Sequence, residues 1–376
     1  MNFIFKLFFV VFFISDNSFS EVLIHNYNNY KNTKTKIVLS DIIGGLDHPW
    51  GMTFVDKQNL IITQKNGEIL KINIVSKKIK KIKHQIKSIS FNGSNQGGLL
   101  DVLYNDGYLY FSYSHVYREN ERYSNTAIAR GKLVDDEIKN LEILLIGKPK
   151  LTKNIHWGSR IVIKKNQLFA SFGERGMGMI AQDPSKHQGS IIRINTDGSI
   201  PEDNPVKKKP KWLPEIYAIG LRNPQGLAIS PTNNKIFFSQ HGPRGGDNIG
   251  IVSKGANYGW KDIAWGGTEY YGGKIGDKFF KKKYNNPIVS WVPSIGIGQI
   301  NFYTGDTFPE WKENLIVSAS KAGLLFRLVL KENKVVNQEI ILNQDIGRIR
   351  DFEISEDGEI YLIVDDEDSS LWKLSK

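Results

Sequence analysis

Short apolar runs alternate with turn-forming residues along this chain, and helical periodicity is almost absent. The first clear unit, Gly51 to Ile72, reads GMTFVDKQNLIITQKNGEILKI, with strand-like runs broken at DKQN and KNG. Runs of this kind, rich in β-branched and aromatic residues and bounded by Gly, Asn and Asp, signal strands and hairpins. Related units start at Gly98 (GLLDVLYNDGYLYFSYSH), Ser159 (SRIVIKKNQLFASFGE), Gly226 (GLAISPTNNKIFFSQHG) and Phe352 (FEISEDGEIYLIVDD), with a more diverged copy at Ile300 (INFYTGDTFPEWKENLIVSAS). Each has the form apolar strand, turn, apolar strand. Neighbouring units lie about 50 to 75 residues apart, the scale of a four-stranded blade with variable loops. The pattern predicts an all-β, six-bladed β-propeller with four-stranded antiparallel blades. A two-sheet sandwich needs no sixfold repetition, and a parallel β-helix would show a much shorter period. Residues 21–376 are thus expected to form one propeller domain, with function at the channel mouth where loops from every blade converge.

Residues 1–20 break this pattern. Lys6 precedes an apolar run from Leu7 to Ile14, and small residues follow at Ser18 and Ser20. That order is the signature of a cleaved secretory leader. The run is shorter than the ~20 residues that a bilayer span needs, so no membrane span is expected after cleavage and the mature chain is expected to be periplasmic or secreted. The chain has no cysteine, which excludes disulfides, thiol catalysis, iron–sulfur ligation and c-type haem attachment. Its net charge of +11 raises the question of nucleic acid. The lysines are spread along the chain, their tightest clusters read as solvated loops, and no basic helix or aromatic-interleaved motif accompanies them. No nucleic-acid partner is expected.

Several loops hold polar residues that strand packing does not require. His156 and Arg160 lie in IHWGSR, Arg222 and Asn223 in GLRNPQG, and HGPRGGDN runs from His241 to Asn248, while Lys321, Arg348 and Arg350 flank strands near the C-terminus. Cations gathered at a channel mouth are costly unless an anionic ligand neutralises them.

In order and wording these segments resemble the soluble glucose/sorbosone dehydrogenases that depend on pyrroloquinoline quinone (PQQ), and among them the aldose sugar dehydrogenases. The markers are GLDHPWGMTF around residues 44–54, QGGLLDV (96–102), HWGSR (156–160), GERG (173–176), GSIIRINTDGSIPEDNP (189–205), IYAIGLRNPQGLA (216–228), HGPRGGDNI (241–249), GANYGW (255–260), WVPSI (291–295) and RIRDF (348–352). Each is weak alone, and their collinear occurrence over nearly the whole mature chain is specific.

The resemblance implies oxidation of an aldose at C1 to a lactone, with PQQ and Ca2+ as cofactors, an external electron acceptor, and a monomer or homodimer. It implies His156 as general base for the C1 hydroxyl proton, Arg222 as the group that stabilises developing negative charge, and Glu174 as the carboxylate that orients the histidine. It implies Gln96, Arg222, Asn223, Trp291, Lys321, Arg348 and Arg350 as cofactor contacts, paired arginine forks being suited to planar carboxylates. For calcium it implies the Gly242 and Pro243 carbonyls, with Asp247, Asn248 and the Tyr258 carbonyl at a second, structural site.

The chain departs from the family pattern in three places. Asn248 stands where Glu is common, which removes a charge from the second calcium site. GIGQ (296–299) replaces an APSG-like loop, which bears on sugar preference. Ile155 stands where some members have Asp. Two rival classes fit the same fold: a non-catalytic extracellular propeller that binds a partner, and a calcium-dependent lactonase-like hydrolase. The first has no need of the set His156, Arg222, Lys321, Arg348 and Arg350. The second needs Glu, Asn and Asp around a metal in the channel, where this chain offers cations.

Overall fold

The computed structural model describes residues 23–87 and 89–376, so the expected leader at 1–20 lies outside the described residues. They form six antiparallel sheets arranged as the blades of a β-propeller. Blade 1 comprises Pro49–Phe54, Asn59–Gln64, Ile69–Asn73 and Lys78–Lys81; blade 2, Leu99–Asn105, Tyr108–Val116, Ser124–Val134 and Glu137–Ile146; blade 3, Gly158–Lys164, Gln167–Phe172, Ser190–Asn195 and Ile216–Ile219. Blade 4 comprises Asn223–Ile229, Ile236–His241, Asp247–Ile251 and Val289–Trp291; blade 5, Ile297–Phe302, Leu315–Ala319, Leu324–Lys331 and Lys334–Asn343; blade 6, Ile349–Ile354, Ile360–Val364 and Ser369–Ser375, completed by the N-terminal strand Val38–Leu46. That last pairing closes the ring with backbone hydrogen bonds between the two ends of the chain. Before reaching it, the N-terminal segment adds a short parallel strand to blade 4 (Leu23–His25) and another to blade 5 (Lys31–Asn32), so these two sheets have five strands. Among the described residues no helix is long and apolar enough to cross a membrane.

The apolar units read from sequence are the first two strands of each blade, with the unit from Gly51 to Ile72 also reaching the third strand of blade 1. These lie nearest the axis and bury most of their residues, as in Asn59–Gln64 and Leu315–Ala319. Outer strands carry less of the core, and Lys78–Lys81 is exposed throughout.

One backbone feature recurs in every blade and positions the site. The first strand has an irregular register near its start: between Pro49 and Gly51, Leu99 and Val102, Gly158 and Ile161, Pro224 and Gly226, Ile297 and Ile300, and Ile349 and Asp351. A bulge interrupts strand alternation and re-aims a side chain. The residues carried there include Trp50, Asp101, Arg160, Gln225, Gln299 and Arg350. Because first and second strands are antiparallel, the start of one and the end of the other share a mouth of the channel, and loops from all six blades meet there.

Candidate functional site

His156 immediately precedes the first strand of blade 3, and Glu174 follows the second. The two loops interlock: Gly173 N donates to Trp157 O (3.1 Å) and Arg175 N to His156 O (3.2 Å). A Cβ on Gly173 would lie 2.0 Å from His156 O, so this approach requires glycine. The loops bring His156 Nδ1 into hydrogen bonding with the buried Glu174 carboxylate, whose other oxygen accepts from Gly178 N. A carboxylate can only accept, so Nδ1 carries the proton and Nε2 is left as the acceptor when the ring is neutral. Burial lowers the pKa of His156 below its ordinary value, and the bond to Glu174 offsets part of that shift. Burial works to raise the pKa of Glu174, yet the contacts with His156 and Gly178 hold it below the usual range.

Neighbouring loops fix this pair. Gln96 Oε1 accepts from His156 N (2.9 Å), Glu174 N donates to Arg222 O (2.8 Å), and Asn223 Oδ1 accepts from Gly158 N (3.0 Å). Blades 2, 3 and 4 are thereby joined at the His156–Glu174 pair. The Arg222 guanidinium makes only long bonds, Nη1 to His241 O and Nη2 to the Tyr270 hydroxyl, both 3.4 Å.

Beside the pair lies a cavity lined by, among others, Trp50, Trp157, Gln96, Asn223, Arg348 and Arg350. Trp50, Leu100 and Trp157 form its apolar wall. Arg350 donates to Gln225 Oε1 (3.2 Å) and is paired with Asp365, while Arg348 is exposed. Several buried polar atoms here have no partner: Arg350 Nε, Trp157 Nε1 and His241 Nε2 on the lining, and Arg222 Nε next to it. Buried donors and acceptors are normally satisfied, and their concentration at one cavity marks a place for a polar ligand. Burial also pushes His241 down to about 4, which keeps it neutral.

Below the cavity, in the channel itself, Arg160 stacks 4.6 Å from the centroid of the Trp50 ring and pairs with Asp101 (2.7 Å) and Asp351 (3.0 Å). Its Nε donates to Gln225 O (3.1 Å). This buried triad joins blades 2, 3, 4 and 6 and forms the floor of the site.

Three expected ligand contacts are not on the cavity lining: Arg222, which lies next to it, and Trp291 and Lys321. Trp291 sits on the fourth strand of blade 4, fully buried in the core, with its indole donating to the Tyr30 hydroxyl (2.8 Å) and Phe326 packed edge-on 5.7 Å away. Lys321 is exposed, although its neighbour Ser320 lines the cavity. The indoles of the cavity are instead Trp50 and Trp157, which stand inside motifs singled out in the sequence. Lys65, Gln225, His241 and Asp365, also on the lining, were not singled out as site residues, and their common signal is position: a bulge in a first strand or the end of a second.

Asp247, Asn248 and the Tyr258 carbonyl, expected at the second calcium site, each have protein partners. Asp247 accepts from Gly242 N (2.8 Å), Ser294 Oγ (2.7 Å), Gly296 N (2.7 Å) and Ile297 N (3.0 Å), which occupies both oxygens. Asn248 Oδ1 accepts from Gln240 and the Tyr258 carbonyl from the Trp265 indole (3.2 Å). Asp247 thereby holds the 294–297 loop against blade 4, while Asn248 Oδ1 and the Tyr258 carbonyl each accept a single bond. The Pro243 carbonyl accepts one bond, from Ser294 Oγ (3.1 Å), and a carbonyl has two lone pairs.

Residues 46–373 match the family model described as Glucose / Sorbosone dehydrogenase. The aldose sugar dehydrogenase YliI of Escherichia coli is 34% identical over 341 residues, covering 88% of this chain and 90% of that protein. Quinoprotein glucose dehydrogenase B of Acinetobacter calcoaceticus is 25% identical over 420 residues, covering 89% and 86%. The crystal structure of the soluble E. coli aldose sugar dehydrogenase in its apo form superposes with a TM-score of 0.85 at 32% identity, covering 90% of this chain and 99% of that one. The PQQ-bound aldose sugar dehydrogenase of Streptomyces coelicolor shares the fold, with a TM-score of 0.74 at 20% identity over 90% of this chain and 98% of that one. With this match over nearly all of the described propeller, the chain belongs to the glucose/sorbosone dehydrogenase family and is an oxidoreductase of the sugar dehydrogenase type.

Proposed function

We propose that this protein oxidises aldoses at C1 to lactones with PQQ as the redox cofactor, His156 acting as general base. The observation that carries this reading is a buried histidine–carboxylate pair at the edge of a cavity walled by indoles, rich in cations and furnished with unpartnered donors. PQQ, when bound, supplies an ortho-quinone that accepts the two electrons of sugar oxidation as a hydride. The flat wall of Trp50 and Trp157 suits its rings, and Arg348 and Arg350 suit its carboxylates.

The chain's own residues supply the rest. Glu174 holds the His156 ring with Nε2 available, and Nε2 takes the proton of the C1 hydroxyl as that carbon loses its hydride. The Glu174 carboxylate then stabilises the imidazolium. Arg222 presents an unpartnered Nε and two weakly engaged amino groups beside the base, which favours negative charge developing on an oxygen there. Gln96 and Asn223 keep the loop of the base in place through its backbone.

Calcium belongs to the same proposal, with the Gly242 and Pro243 carbonyls as its donors in the chain. The leader read over residues 1–20 would place the protein in the periplasm or outside the cell, with an external acceptor for the electrons.

A sugar panel tests the reading. Protein reconstituted with PQQ and Ca2+ is expected to reduce an artificial acceptor dye in the presence of an aldose, and EDTA treatment is expected to abolish the signal. No dye reduction with any aldose, despite bound PQQ, would sink the proposed activity.

A further inference from the structure

Lys65 was read in sequence as part of the KNG turn, yet the fold places it in the cavity. It is the first residue past the second strand of blade 1, as Asp365 is in the adjacent blade 6. Its backbone is pinned on both sides, Lys65 N donating to His48 O (3.1 Å) and Leu99 N to Lys65 O (3.3 Å). A Cβ on Gly98 would come within 2.6 Å of Lys65 O, so blade 2 closes directly on this residue. The result is a lysine only 7% exposed that lines the cavity with Trp50, Arg348 and Arg350.

The ammonium has few partners for so buried a position. Nζ lies 4.7 Å from the centroid of the Phe91 ring and 3.8 Å from Asp365 Oδ1, and no hydrogen bond to it is found among the described residues. The second oxygen of Asp365 is taken by Arg350. One carboxylate thus serves two cations, with Arg348 as a third on the same lining. Burial lowers the Lys65 pKa, the two arginines add to that shift, and Asp365 and, more weakly, Asp47 oppose it. Desolvated charge without full compensation is expensive, and Asp365 is the one carboxylate in ion-pair contact with Lys65 and Arg350 among the described residues.

We propose that Lys65 is a direct binding residue for a carboxylate of the ligand, forming with Arg348 and Arg350 the cation set that recognises a planar polycarboxylate. This rests on the reading of the cavity as the PQQ site. Asp365 keeps Lys65 and Arg350 side by side before the ligand arrives, so that one face of the cavity presents a compact ammonium beside a planar fork. Lys65 belongs to blade 1 and the arginines to blade 6, so the ligand would also bridge the blade pair on either side of the ring closure.

The test is a PQQ titration of the full chain at fixed Ca2+, followed by quenching of tryptophan fluorescence, which needs no turnover. Lys65→Met is expected to raise the Kd by about tenfold or more, the loss of one buried charge contact, and Lys65→Arg to restore affinity to within about threefold of the unmodified protein. Melting curves identify a variant that fails to fold, and Lys65→Gln then gives the same readout. Wild-type affinity in a folded Lys65→Met or Lys65→Gln protein would overturn the role of Lys65 and leave the PQQ reading standing. Absence of PQQ binding by the unmodified protein would overturn both.

Discussion

Two arginine-centred clusters lie one above the other in the channel. In the lower, Arg160 is enclosed by Asp101, Asp351, the Gln225 carbonyl and the face of Trp50. In the upper, Arg350 and Lys65 share a single carboxylate, and Arg350 Nε, His241 Nε2 and nearby Arg222 Nε have no partner. Both are built on an arginine–aspartate pair, but the lower has two carboxylates for one cation and the upper one carboxylate in contact with two cations, and the satisfaction differs accordingly. A buried ion pair with its hydrogen bonds complete acts as a strut between blades, whereas one with donors to spare implies a ligand. Burial of a charged residue therefore does not identify a site; the unspent hydrogen-bonding capacity around it does.

The largest effect that would break this contrast is on stability. Arg160→Met leaves Asp101 and Asp351 buried without their counter-ion and is expected to cost about 3–5 kcal/mol, read as a lower urea midpoint. An unchanged midpoint would mean that the floor is no strut. His156→Ala should lower turnover by roughly 10²–10⁴-fold while PQQ affinity and melting temperature stay near those of the parent, and unchanged turnover would remove the base assignment.

Glu174→Gln sharpens the account through pH. The folded His156 pKa lies below its ordinary value of 6.5, so the ring remains a neutral base as pH falls through 6.5 and activity declines only on the acid side of it. Glu174 is the group that raises that pKa, so its neutralisation is expected to move the acid limb to still lower pH, together with a rate loss of about tenfold or more from a less well held tautomer. A limb that stays in place would separate Glu174 from the base. The smallest effect concerns Trp291: Trp291→Phe should lower stability by about 1 kcal/mol, the worth of its hydrogen bond to Tyr30, and leave PQQ affinity alone. A weakened affinity would return Trp291 to the ligand.

The inner half of every blade was legible in sequence because its two strands are apolar runs joined by short turns, as in Leu99–Asn105 and Tyr108–Val116. The outer strands were not. Lys78–Lys81 is polar, Val289–Trp291 spans three residues, and the closing strand Val38–Leu46 pairs with residues at the far end of the chain. Glu174, His156 and Arg222 could be named from motif order. Lys65 and Asp365 could not, because what brings them to the cavity is a blade-equivalent position that exists only once the ring is closed, and the marker motif around Trp50 gave no sign of the register bulge that turns it into the cavity. Trp291 shows the converse: its strand carries the indole into the core, where it donates to the Tyr30 hydroxyl. The partners of Asp247 were not legible either, since three of its four hydrogen bonds come from backbone N–H groups and the fourth from Ser294 Oγ.

A crystal structure of the protein soaked with PQQ and Ca2+ tests the central claim most directly. Density for the quinone is expected between the Trp50–Trp157 wall and the cations Lys65, Arg348 and Arg350, with His156 Nε2 on its open side. A cavity without the quinone at saturating concentration, or the quinone bound at another place on the propeller, would contradict it.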